Sequence, residues 1–307
     1  MTLNDNGAVI RKAIDWRGAP MALATVISTW GSAPRPRGSH MLVHQDGRLE
    51  GSISGGCVET DVLQRAAEVI AGRPAHVHSY GVADGDAWEV GLPCGGEIAV
   101  LVQPVTDSGF APHLFDRIAA ASEEGRALTL ATDLATGRTQ EGVVEGGFLN
   151  RYDPPRQLLI VGAVQIAQSL VPLAQAIDVR PVVIDPRGRF LTEERFPGVE
   201  LDDRWPDEAI AARHPGESTA IVTLSHDIKI DDPALIAALN APTGYIAALG
   251  SRRSHAARIG RLTAAGFDAD ALARIDGPAG LDIGAIGPAE IALSITAGMV
   301  AGFNARG

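Results

Sequence analysis

Asp153-Pro154-Pro155-Arg156 divides this 307-residue chain into two stretches of different character. All hydrophobic periodicity stops there, because proline lacks the N–H that a helix or sheet ladder needs and restricts the residue before it. After the break, strand and helix alternate. Residues 158–162 form a continuous apolar run, as expected of a strand buried on both faces of a parallel sheet. A helical pattern follows over 165–177, with Pro172 expected to kink it, and then a strand over 181–184. Strands at 219–224 and 245–249 and helices at 233–240, 254–265 and 288–301 continue the alternation. This predicts an α/β fold with a doubly wound parallel sheet. Before the break the pattern is a mixed one. Helices are expected at 6–16, 58–71 and 111–124, and strands at 21–30, 39–45, 76–80 and 98–105. A small antiparallel set is expected at 128–134, 138–144 and 147–152. The expected organisation is a smaller N-terminal α+β domain over residues 1–152 and the doubly wound domain over 153–307.

Composition narrows the functional classes. Hydrophobic residues make up 46% and charged residues 21%, which marks a globular chain with enough apolar material for two cores. The net charge of −11 argues against nucleic acid as a partner, since phosphate backbones select clustered Lys and Arg. Nearly all the cations are arginine, which suits bidentate contacts to carboxylate or phosphate. No apolar run is long enough to span a bilayer, and residues 1–6 lack the basic and apolar regions of a secretory signal. Two cysteines without CxxC spacing are too few for a disulfide framework or a structural zinc site. A cytoplasmic location is the expectation.

Both cysteines stand in glycine turns. In Gly51-Ser52-Ile53-Ser54-Gly55-Gly56-Cys57-Val58-Glu59 the glycines allow positive φ, and successive N–H groups can then converge on an anion ahead of the following helix. Cys57 lies beside that helix start, where a thiolate is favoured. The plain alternative is a tight turn with a small thiol as filler. The second turn, Gly91-Leu92-Pro93-Cys94-Gly95-Gly96-Glu97, repeats the pattern of a cysteine beside a Gly-Gly pair with a glutamate nearby. Between β-patterned segments, Gly31-Ser32-Ala33-Pro34-Arg35-Pro36-Arg37-Gly38 holds Arg35 and Arg37 between prolines that restrict them.

In the second stretch the turn Gly162-Ala163-Val164-Gln165-Ile166-Ala167 matches the Rossmann fingerprint at its first glycine and final alanine. Val164 replaces the glycine that lets backbone approach a pyrophosphate. Asp185 stands near the position of a ribose-binding acid. His226 and Asp227 follow a strand, so they either face a ligand crevice or cap a loop. Arg252 and Arg253 open a helix, where positive charge opposes the dipole; this favours a role in holding phosphate or carboxylate over a merely solvated helix start. Gly280-Leu281-Asp282-Ile283-Gly284 reads as a loop packed beneath the last helix.

Taken together, Gly31-Ser32-Ala33-Pro34-Arg35-Pro36, the run 51–59, Cys94-Gly95-Gly96-Glu97, His226-Asp227, Leu249-Gly250-Ser251-Arg252-Arg253 and Gly280 to Gly284 resemble the XdhC/CoxI family, in the right order over nearly the whole chain. The resemblance implies a smaller N-terminal domain joined to a Rossmann-like domain. It also implies a non-catalytic accessory protein of xanthine dehydrogenase and carbon monoxide dehydrogenase-type molybdenum hydroxylases. Such a protein binds the molybdenum–pterin cofactor, in its mononucleotide or cytosine dinucleotide form. It protects the cofactor during sulfuration and delivers it to the apo-enzyme. The implied partners are an apo molybdenum hydroxylase and a cysteine desulfurase or other sulfur donor; a homo-oligomer is compatible with this role. The expected cofactor-binding residues are Arg35, Arg37, Ser54, Gly55, Gly56, Cys57, Glu59, Cys94, Gly95 and Gly96 before the break. After it they are Gly162, Asp185, His226, Asp227, Arg252 and Arg253. Cys57 is the expected contact to metal or transferable sulfur, since a soft thiolate suits molybdenum. Two rival readings are an NAD(P)-dependent oxidoreductase using the second domain, disfavoured by Val164, and a sulfur-transfer or redox enzyme using Cys57.

Overall fold

The computed structural model describes residues 3–33, 35–81 and 96–305, and the chain forms two compact units, Met1–Pro154 and Pro155–Gly307. Cys94 and Gly95 lie outside the described residues.

The first unit begins with α1 (Leu3–Asp15), followed by β1 (Met21–Trp30), β2 (His40–His44), β3 (Leu49–Gly51), α2 (Glu59–Ile70), β4 (His76–Tyr80), β5 (Glu97–Pro104) and α3 (His113–Glu123). A three-stranded antiparallel sheet of β6 (Leu128–Thr132), β7 (Thr139–Glu141) and β8 (Phe148–Tyr152) completes it. The larger sheet is antiparallel throughout, in the order β3-β2-β1-β5-β4. Period-two alternation in β1 gives the sheet two buried faces. Ala22, Ala24 and Val26 meet the α2 stripe of Val62, Ala66 and Val69 on one side. Met21 and Leu23 meet Val9, Ile10, Phe115 and Ile118 of α1 and α3 on the other. Gly51 is required by space as well as by its φ of +86°: a Cβ there would stand 2.4 Å from the His40 carbonyl oxygen.

In the second unit, β9 (Gln157–Val161), α4 (Gln165–Ala176), β10 (Arg180–Ile184), β11 (Glu200–Asp202), α5 (Pro206–Ala211), β12 (Thr219–Thr223), α6 (Ile228–Leu239), β13 (Tyr245–Ala248), α7 (Arg252–Ala264), α8 (Ala269–Leu272), β14 (Ile275–Asp276) and α9 (Pro288–Asn304) follow in order. The sheet order is β11-β10-β9-β12-β13-β14, with every neighbouring pair parallel. Its faces are equally apolar. Leu158 and Ile160 pack toward α4 and α9, while Leu159 and Val161 pack toward α5 and α6; this is why the run reads as uninterrupted hydrophobicity rather than alternation. The chain leaves β9 for β10 and β11 on one side, then crosses to β12 on the other. The switch point therefore lies between the carboxyl ends of β9 and β12.

Several elements differ from the sequence pattern. β3, β11, α5, α8 and β14 are too short to show a period. Helix α6 begins at Ile228 rather than 233, because the Asp227 side chain accepts the Lys229 N–H at 2.9 Å and starts the helix earlier. Helix α4 continues through Pro172 to Ala176.

Candidate functional site

Sheet direction gathers the first unit's motifs. Strands β1, β3 and β4 run one way and β2 and β5 the other. The carboxyl ends of β1, β3 and β4 and the amino ends of β2 and β5, with the described residues 31–33, 35–39, 52–58, 81 and 96 that adjoin them, therefore lie at the same end of the sheet. Close packing holds them there. A Cβ on Gly96 would lie 2.8 Å from the Ser32 carbonyl oxygen and 3.0 Å from that of Trp30, so only glycine admits this approach. The Tyr80 hydroxyl donates to Asp61 at 2.6 Å and Arg65 Nε donates to the same oxygen at 2.6 Å, which ties the end of β4 to the first turns of α2.

The Ser52–Val58 turn is an anion nest, with Gly55 and Gly56 at φ of +72° and +114°, but the anion it encloses is the chain's own Glu59. Glu59 Oε1 accepts from Ser52 Oγ at 2.7 Å and from the Ser54 N–H at 2.9 Å. Its Oε2 accepts from the Gly56 N–H at 2.8 Å and from Ser54 Oγ. Burial would raise the Glu59 pKa, but the hydrogen bonds from Ser54 and Ser52 outweigh it and hold the group at about 2. The expected cradle of Ser54, Gly55 and Gly56 for an external phosphate is thus filled from within. The carboxylate that fills it comes from the first residue of the helix that follows. Ser52 is the member of this network that sequence reasoning did not single out. Cys57 stands on the outside of the turn, exposed and free.

Arg35 is half-buried, and among the described residues its Nε has no hydrogen-bonding partner. Arg37 instead braces the fold. Its Nε donates to the Ile27 carbonyl at 3.1 Å and its guanidinium lies 4.7 Å over the Phe148 ring. Deeper in the unit, His40 is 1% exposed, with Nδ1 2.9 Å from Thr25 Oγ1 and Nε2 2.7 Å from the Tyr152 hydroxyl. Burial lowers its pKa to about 3.

In the second unit the switch point is drawn tight. Gly162, at φ +108°, lies so near the next turn that a Cβ would meet Ser225 N at 2.8 Å. Asp185 is fully buried. Its Oδ2 accepts the Ala163 N–H at 2.8 Å and Arg187 Nη2 at 2.8 Å, while Oδ1 accepts Arg187 N at 3.0 Å and Nε at 2.9 Å. Burial opposes ionisation, yet Arg187 and the Ala163 N–H keep the Asp185 pKa below its ordinary value. The position read as a ribose-binding acid thus fastens the β9–α4 turn to the loop after β10. Asp227 is the α6 cap. His226 is exposed at φ +61°, a left-handed conformation uncommon for a residue other than glycine. Arg252 and Arg253 are exposed at the α7 start, where the Ser251 side chain caps the helix by accepting the Ser254 N–H at 3.2 Å. The 280–284 loop does pack on α9, with the Leu281 N–H donating to the Ser294 carbonyl at 3.2 Å.

Among the described residues no group of three His, Cys, Asp or Glu side chains could hold a metal ion, and no helix is long and apolar enough to cross a membrane. What the described residues offer is a soft thiol and arginine on loops fixed by backbone contact.

Comparison with known proteins covers both units. Residues 16–81 match the profile of the XdhC and CoxI family, and residues 158–299 match the XdhC Rossmann domain. The chain is 29% identical over 303 residues to the molybdenum cofactor insertion chaperone PaoD of Escherichia coli, covering 96% of this chain and 87% of that one. It is 26% identical to a protein of Bacillus subtilis described as a probable xanthine dehydrogenase subunit, covering 91% and 92%. A crystal structure described as a xanthine dehydrogenase from Bacillus halodurans superposes with a TM-score of 0.74 at 25% identity, covering 97% and 96%.

Proposed function

The chain belongs to the XdhC/CoxI family, and from that premise we propose that it binds the molybdenum–pterin cofactor as cargo, shields it and hands it to an apo molybdenum hydroxylase. Sulfuration of the bound cofactor, with a cysteine desulfurase or other donor, belongs to the same proposal. The observation that carries it is that the Ser52–Val58 turn, with Cys57 exposed on it, and the described residues around Arg35 and Gly96 lie at one end of the first unit's sheet.

The residues present fit such a cargo, though not through the glycine turn. Cys57 offers a soft, accessible sulfur to molybdenum or to a transferable sulfur. Arg35 offers a guanidinium whose Nε is unmatched among the described residues. Glu59 excludes a phosphate from the nest and instead stiffens the turn that displays Cys57. The bound cofactor would supply the metal and the polar pterin; the protein's part is to hold these and keep water away. The relative named as a cofactor insertion chaperone supports this role.

The NAD(P)-dependent oxidoreductase has less to support it. Both Asp185 oxygens are engaged, and the Ala163 N–H is turned to Asp185 rather than toward a pyrophosphate.

The deciding experiment is purification from a host that makes the cofactor, with molybdenum measured by elemental analysis and pterin by fluorescence. Stoichiometric molybdenum and pterin are expected. Their absence together with bound nicotinamide would reverse the assignment.

A further inference from the structure

Arg258 is a buried cation that the fold leaves incompletely matched. It lies on α7, is 4% exposed, and makes no ion pair within 4.0 Å of a carboxylate among the described residues. Its Nη2 donates to the Leu249 carbonyl at 2.8 Å and its Nη1 lies 3.4 Å from His255 Nδ1. Its Nε is buried without a partner. A buried charge normally has a counter-charge, because desolvation is otherwise uncompensated. The carboxylate that most influences it, Asp231, is 4% exposed and bonded instead to Ser225 Oγ at 2.6 Å. Burial first of all raises the Asp231 pKa, so it is a weak counter-ion.

A second unmatched atom lies close by. Thr223 Oγ1, at the carboxyl end of β12, is fully buried and unpartnered, and the Thr223 carbonyl accepts the Leu249 N–H at 2.9 Å. Thr223 and Arg258 therefore meet Leu249 from two sides, just before Gly250. A Cβ on Gly250 would lie 3.7 Å from Arg258 Nη2 and 2.4 Å from Ser254 Oγ, so glycine keeps the backbone bare directly over the guanidinium. The next residues open α7, a helix of 13 residues; Ser251 Oγ takes the Ser254 N–H, which leaves the N–H groups of Arg252 and Arg253 without an intrahelical acceptor beside their exposed side chains.

We propose that the start of α7, Ser251 to Ser254 backed by Arg258, is a binding site for an oxyanion of the phosphate class. The anion pairs with a guanidinium whose two influencing carboxylates, Asp231 and Asp232, are both bonded to other partners. Arg252 and Arg253 close over it from the solvent side, and Gly250 permits its approach. Arg252 and Arg253 are also among the residues the family resemblance assigns to the cofactor, but the site stands whether or not the cargo contains molybdenum. Its failure and the failure of that reading are therefore separately visible.

The test uses the full chain with inorganic phosphate and pyrophosphate as probes, in a chloride buffer of constant ionic strength. Backbone amide spectra should show saturable shifts at Ser251 to Ser254 and at the Arg258 Nε–H, and the melting temperature should rise with probe concentration. Arg258→Met preserves bulk and removes the charge. It should weaken binding roughly tenfold or more, as expected for loss of a charged hydrogen bond, while the probe-free protein stays folded, the lost hydrogen bond to the Leu249 carbonyl being offset by removal of a buried charge. If Arg258→Met does not fold, the exposed pair Arg252→Gln with Arg253→Gln serves instead and should weaken binding by a similar factor. Probe shifts that miss the α7 start, or affinities unchanged in both variants, would overturn the assignment.

Discussion

Glu59 and Ser54 close the glycine turn upon itself: the Ser54 N–H donates to Glu59 Oε1 at 2.9 Å, and the Ser54 hydroxyl donates to Oε2. A turn built to gather anions has thereby become the rigid mount for the residue on its outer edge, Cys57.

Removing that carboxylate should loosen the mount. Glu59→Ala strands the Ser54 and Gly56 N–H groups and is expected to cost about 1–3 kcal/mol, with Glu59→Gln recovering part. The acid dependence has a definite sign. Glu59 is depressed from 4.5 to about 2, so its stabilisation is complete above pH 4.5 and is lost as the pH falls toward 2. Urea unfolding of both variants and the parent between pH 2 and pH 7 measures it.

His40 acts in a higher pH window. Its pKa is lowered from 6.5 to about 3 by burial, so the unfolded chain takes up the proton first. Its contribution is complete above pH 6.5 and declines as the pH falls toward 3. His40→Phe should cost at least about 2 kcal/mol at pH 7, because Thr25 and Tyr152 lose their partner, and should remove part of the slope between pH 4.5 and 6.5. His255, also lowered by burial and then by Arg258, remains in the variant. The difference between parent and variant, read by chemical unfolding, therefore isolates His40.

Cys57→Ala separates binding from folding. The side chain is exposed, so stability should change by less than about 0.5 kcal/mol. Molybdenum retention should fall by at least about tenfold, since even indirect changes around a metal cost roughly 10–100-fold. Equal molybdenum in the two purified proteins would remove Cys57 from the site.

Nicotinamide binding should be absent. With Val164 at the helix start and Asp185 fully engaged, NADH and NADPH are expected to bind more weakly than about 1 mM. Calorimetry at millimolar ligand tests this. Tight binding with the dinucleotide along the Gly162–Ala167 turn would restore the oxidoreductase.

The sequence by itself determined the order of parts. The apolar run at 158–162 needed two covered faces, which required helices on both sides of a parallel sheet. The stretch 21–30, rich in Ala, Val, Ile and Thr, required a strand. The glycines at 55 and 56 announced a nest of N–H groups. These are local consequences of period and of φ, and they survive any packing. Which group fills the nest was a tertiary question. Sequence spacing places Glu59 three residues beyond Gly56, but only the folded turn brings its carboxylate within reach of Ser52, Ser54 and Gly56 together. The same holds for Asp185, whose place in the pattern suggested a ribose but whose burial gave it to Ala163 and Arg187. Arg258 reads as one more helix cation until the packing of α7 against Leu249 seals it from water. Desolvation and hydrogen-bond competition depend on everything that surrounds a group, and that is decided only when the chain is folded.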